Sequence, residues 1–75
     1  MKAIVGKRYR HYKGNEYTVL AIARLESDPN EVYVVYRAEY TSPDFGEGTV
    51  WLRKQEFFEE QIIVSGTSRD RFTQI

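Results

Sequence analysis

The sequence predicts a mainly β fold: a small SH3-like β-barrel of about five short strands with one short helical or 3-10 turn. Three observations carry that expectation. Alternating, β-branched and aromatic stretches recur between turn signals rich in glycine, asparagine and aspartate. One stretch, KQEFFEE, fails to alternate cleanly, and it is too short for an independent helix. Finally, 75 residues leave room for one small core.

Residues 7–12, KRYRHY, make the first strand, with Tyr9 and His11 on one side and Arg10 and Tyr12 on the other. Lys13-Gly14-Asn15 supplies turn chemistry, because glycine and asparagine tolerate a positive φ. In the next strand, residues 16–24, Tyr17, Val19, Ala21 and Ala23 oppose Thr18, Leu20, Ile22 and Arg24. Both sides therefore need partial cover, as in a strongly curved sheet. Ser27-Asp28-Pro29-Asn30 predicts the reversal that follows, since aspartate accepts a local backbone hydrogen bond and proline presets φ.

Residues 32–40 make a long central strand, with Val32, Val34, Tyr36, Ala38 and Tyr40 opposite Tyr33, Val35, Arg37 and Glu39. TSPDFGEG, residues 41–48, is the longest expected loop, and its Phe45 either latches it to the core or closes over a ligand. Residues 49–53 resume alternation. With Val50 and Leu52 towards the core, Trp51 and Arg53 become neighbours on the outer face. Residues 54–60 suit one helical turn with Phe57 and Phe58 folded inwards. Residues 61–64 then form a strand, Ser65-Gly66 a turn, and Arg71-Phe72 a last pairing segment or an anchored tail. The reading is of one domain over residues 1–75 with its core region at 6–72. An OB-like barrel would need more chain and a larger helix; an open sheet completed by dimerisation is the other alternative at this size.

Lysine plus arginine equals aspartate plus glutamate, at 11 each. Affinity for extended double-stranded DNA scales with the phosphates a protein neutralises, so that partner is not expected. Lys7, Arg8, Arg10 and Lys13 cluster early and acids weight the second half, a dipolar arrangement that can orient one small anion. With no cysteine, neither a disulfide nor a Cys-rich zinc site is available. Neither a signal-type apolar run nor a membrane span is visible, so the expected location is cytoplasmic, without a membrane partner.

His11 is the only histidine and has no metal-ligand spacing around it. No phosphate-binding glycine loop, dinucleotide fingerprint or nucleophile elbow occurs. Glu39, Glu56 and Glu59 offer no opposed acid-base pair. The chain thus reads as non-enzymatic, with no catalytic residue, metal ligand or cofactor expected.

The candidate ligand-binding residues are Arg10, Tyr12, Arg37, Trp51 and Arg53. Guanidinium forks grip phosphate or carboxylate at two points, and indole and phenol rings stack on planar bases. The expected function is a binding module for a small planar anion, such as a nucleotide or a short single-stranded nucleic-acid end. The alternative is a module for a protein partner or a homodimer, using a strand edge or an aromatic rim. Against both stands a structural role: arginines paired with nearby glutamates, and Tyr9, Tyr17, Tyr36 and Tyr40 filling the barrel.

GKRYRHYKGNEYTVLAIAR, VVYRAEY and VWLRKQEFF, taken in order, resemble the successive segments of the DUF1653 family of small bacterial proteins, over about residues 6–72. The resemblance implies a compact, mainly β, SH3-like protein that usually stands alone, and it carries over no catalytic mechanism. The family's familiar form has proline after its Trp-aliphatic-Arg segment, where this chain has Lys54, and a shorter connection than residues 41–48.

Overall fold

Two long strands organise the molecule, whose computed structural model describes residues 2–75. β2 (Glu16–Leu25) and β3 (Asp28–Ala38) pair as an antiparallel hairpin. β1 (Arg8–His11) flanks β2, and β6 (Val50–Lys54) flanks β3. β9 (Phe72–Gln74) adds to the far side of β1, giving one five-stranded sheet in the order β6-β3-β2-β1-β9. Two small hairpins stand apart: β4 (Thr41–Ser42) with β5 (Gly46–Glu47), and β7 (Gln61–Val64) with β8 (Thr67–Asp70). A single turn of helix, α1 (Gln55–Phe58), follows β6.

The mainly β content and the helical turn match the sequence reading, but the SH3-like barrel does not form. Among the described residues β6 and β9 are the two edges of the sheet and do not pair, so the sheet is open. The cause lies after β6. There the chain turns into α1, and β7 pairs with β8 instead of extending the sheet, which leaves only the three-residue β9 to return to it.

Aromatic side chains cover the inner face in place of strand closure. Phe58 from α1 lies flat on Phe72 from β9, with ring centroids 4.0 Å apart and planes within 9°. Tyr9 and Tyr36 meet the Phe58 ring edge-on at 5.6 and 5.3 Å. Val19 and Val34 complete the fully buried set. Burying rings of this size is the largest favourable contribution a domain so small can make.

Three local expectations shift. The reversal between β2 and β3 falls at Glu26 and Ser27, so of the Ser27-Asp28-Pro29-Asn30 signal only Ser27 lies in the turn. Leu25 pairs with Asp28 and Arg24 with Val32, so the proline segment is absorbed as a bulge, held by Arg24 donating to the Pro29 carbonyl at 2.8 Å. A second irregularity between Val19 and Ala21 sets Leu20 out of register and ends strict alternation in β2. Of the two helix phenylalanines only Phe58 turns inwards; Phe57 is 47% exposed.

Candidate functional site

The side-chain period of a strand decides which groups meet. Tyr36 is opposite Trp51, and Val34 opposite Arg53, so those two β6 residues share the inner face with the core. Val50 and Leu52 point outwards and are 56% and 62% exposed. The sequence reading had these faces reversed. Val50 and Leu52 are as apolar as a core demands, but the register against Tyr36 places the larger indole inside, where the open sheet has room for it.

Tyr17, Tyr36, Tyr40, Trp51 and Arg53 line a concavity of about 230 Å³ at the inner face. The Tyr17 ring stands edge-on to Tyr36 at 5.2 Å and to Tyr40 at 5.6 Å. The Tyr17 and Tyr40 hydroxyls share a hydrogen bond of 2.9 Å. Burial, and then that hydrogen bond, push the Tyr17 phenol well above its ordinary value, so it stays neutral. At the rim the Phe45 ring meets Trp51 edge-on at 5.4 Å while remaining 65% exposed. Phe45 thus latches its loop to Trp51, and not to the buried core.

Arg53 stands at the end of the concavity nearest β9. Its Nε donates to the Tyr36 hydroxyl at 3.2 Å, and its guanidinium carbon lies 5.7 Å from the Phe72 ring centre. Among the described residues it makes no ion pair. The Nη groups are therefore not committed to a protein carboxylate.

The remaining candidates separate. Arg10 and Arg37 sit next to the buried Tyr9 and Tyr36, so alternation places both on the outer face. Arg10 and Arg8 both bind Glu16 at 3.0 Å. Arg37 binds Glu39 at 3.1 Å, and Glu39 also accepts from the Thr18 hydroxyl. Tyr12 lies just beyond β1, where the turn tilts its ring onto His11 at 4.5 Å; this separates it from Arg10. His11 in turn stands edge-on to Phe72 at 5.0 Å. Trp51 and Arg53 therefore come together, Tyr12 approaches the same aromatic run through His11 and Phe72, and Arg10 and Arg37 do not join them.

Sequence reasoning gave Tyr17, Tyr36 and Tyr40 packing as their default role. Their placement beside Trp51 depends on the register between β2, β3 and β6, for which the only sequence signal was the shared alternation of Tyr36 with Tyr40 and of Trp51 with Arg53.

Fold and site define a small, open-sheet, mainly β domain carrying an aromatic cluster that reaches its surface. The chain belongs to the family of proteins of unknown function DUF1653, whose family model matches residues 7–74. A crystal structure of a DUF1653 protein from Bordetella bronchiseptica resembles it with a TM-score of 0.79 and 28% sequence identity, covering 96% of this chain and 87% of that one. A search among curated proteins finds no match. No helix among the described residues is long and apolar enough to cross a membrane, and no group of three or more His, Cys, Asp or Glu residues among them is arranged to hold a metal ion.

Proposed function

We propose that this protein is a non-enzymatic, cytoplasmic binding module whose aromatic concavity takes a small planar anion, a nucleotide or the end of a short single strand. One observation carries the reading: Arg53, without a carboxylate partner among the described residues, stands beside Tyr36 at the edge of a concavity walled by Tyr17, Tyr40 and Trp51. Aromatic rings supply faces and edges for a base, and a free guanidinium fork supplies the counter-charge. A net charge of zero favours a short ligand over a long polyanion.

The test is a titration of the isotope-labelled protein with nucleotides and short single strands, following backbone and indole NMR signals. Saturable shifts at Tyr17, Tyr40 and Trp51 are expected. If no ligand in the panel moves the Trp51 indole, the reading fails.

A second reading has an observation of its own. β6 is an edge strand, and its outer-face Val50 and Leu52 are largely exposed. Edge pairing between two copies would satisfy the free backbone groups of β6 and extend the outer-face row of Val50 and Leu52 across the seam. It predicts shifts along residues 50–54 that grow with protein concentration and need no ligand.

A further inference from the structure

We infer that the rim around Phe72 is a phosphate subsite, in which Arg53 and the Nε2–H of His11 hold a terminal phosphate monoester on a ligand whose ring occupies the tyrosine-tryptophan concavity. This rests on the nucleotide reading above and gives the bound ligand a direction: base towards Trp51, phosphate towards β1 and β9.

Geometry places the two donors against one ring. Arg53 reaches Phe72 from β6 with its centre 5.7 Å from the ring, and His11 reaches it from β1 at 5.0 Å. The protonated nitrogen of His11 follows from its neighbour. The Lys13 backbone N–H donates to Nδ1 at 3.2 Å, so the neutral ring must carry its proton on Nε2. His11 is therefore a donor before it is charged.

The surroundings carry an excess of positive charge. The charged and titratable groups that bear on His11 are Arg53 from β6, Arg71 just before β9 with its partner Glu60, and Lys13 and Tyr12 from the turn after β1, so cations outnumber acids there. Arg71 is the one cation there with a partner, Glu60 at 2.5 Å, and its buried Nε has no hydrogen-bond partner among the described residues. Burial, and then Arg53, Arg71 and Lys13, keep the imidazole below its ordinary value. A dianion arriving between Arg53 and His11 would cancel that mutual repulsion and favour the charged imidazole. An internal phosphodiester, with one charge and two esterified oxygens, satisfies the arrangement less well. A neutral nucleoside leaves it unpaired.

The experiment compares adenosine, adenosine 5′-monophosphate, an unphosphorylated adenine dinucleotide and its 5′-phosphorylated form, with ring and guanidinium NMR signals as readout. The monophosphate is expected to bind at least about tenfold tighter than adenosine, the scale of one charge-assisted contact. On binding, the His11 titration midpoint should rise by about half a unit or more. His11→Phe keeps a ring on Phe72 but removes the donor, and Arg53→Gln removes the charge; each should abolish most of the phosphate preference, with backbone spectra confirming the fold.

Equal binding of adenosine and its monophosphate would overturn the subsite and leave the planar-ligand reading standing. A phosphate preference that survives both substitutions would also overturn it. Binding by none of the four would remove the subsite together with the reading beneath it. If the preference holds, a tighter phosphorylated dinucleotide identifies a strand end as the source, and parity with the monophosphate identifies a free nucleotide.

Discussion

Adjacent phenylalanines in the helical turn give a sharp test of how the fold is held. Phe58 is fully buried, stacked on Phe72 at 4.0 Å and contacted edge-on by Tyr9 and Tyr36; Phe57, one residue earlier, is 47% exposed. Truncating a buried phenylalanine to alanine costs about 3–5 kcal/mol, from lost transfer energy and the cavity left behind. Aromatic pairs add about 0.5–1.5 kcal/mol beyond area, which places Phe58→Ala at the upper end of that range. Domains carry roughly 0.05–0.15 kcal/mol of stability per residue, so a chain of this length holds about 4–11 kcal/mol. Phe58→Ala should therefore consume a third or more of the total, whereas Phe57→Ala should cost less than about 1 kcal/mol. Urea unfolding followed by Trp51 fluorescence and far-ultraviolet circular dichroism measures both. Should Phe58→Ala not fold, Phe58→Leu, expected to lose roughly 1–2 kcal/mol, takes its place in the comparison. Losses equal within about 0.5 kcal/mol for the two positions would refute the reasoning, because they would mean that the stacked pair does not organise the core.

Further outcomes follow from the turns and the outer face. Ser65, with φ at 51°, precedes Gly66 in the two-residue turn between β7 and β8. Ser65→Asn suits that left-handed conformation better and should stabilise by about 0.5–1 kcal/mol, read as a higher thermal midpoint. Phe45→Ala removes the ring that meets Trp51 and should red-shift tryptophan emission, at a cost below about 1 kcal/mol given the exposure of Phe45. The Thr18 hydroxyl first, and then Arg37, hold the Glu39 carboxyl below its ordinary 4.5. A depressed carboxylate contributes stability that is present above its unfolded value and lost as pH falls through the folded one. The Glu39 contribution should therefore fade below about pH 4.5, and Thr18→Val should move the NMR-measured midpoint back up.

Much of the fold was legible because short-range chemistry determines it. The period of two marked β1, β2, β3 and β6, and glycine or asparagine marked the turns after His11 and Val64. Closure was not legible. Whether KQEFFEE returns the chain to the sheet depends on where Phe58 finds a stacking partner, and that partner, Phe72, lies beyond an intervening hairpin. The β6 faces were equally opaque, since Val50 and Leu52 on one side and Trp51 on the other all satisfy a core, and only pairing with β3 chooses between them. The candidate site divided for a related reason. Arg10, Arg37 and Arg53 look alike as residues, but the first two pair with Glu16 and Glu39 on the outer face, and Arg53 pairs with no acid among the described residues. Separating a committed guanidinium from a free one requires the cross-strand neighbour, which is a property of register.

The stack of Phe58 on Phe72 also makes the last strand the cover of the core. β1, β2, β3 and β6 pair with one another without Phe72, so a chain cut within residues 65–71 would keep the hairpin while its inner face, with Tyr9, Tyr36 and Phe58, stayed open to solvent. Only with β9 docked on β1 does that face acquire its cover. Proteolytic clipping before Phe72 would therefore leave a paired but uncovered sheet, exposed to aggregation or to a chaperone.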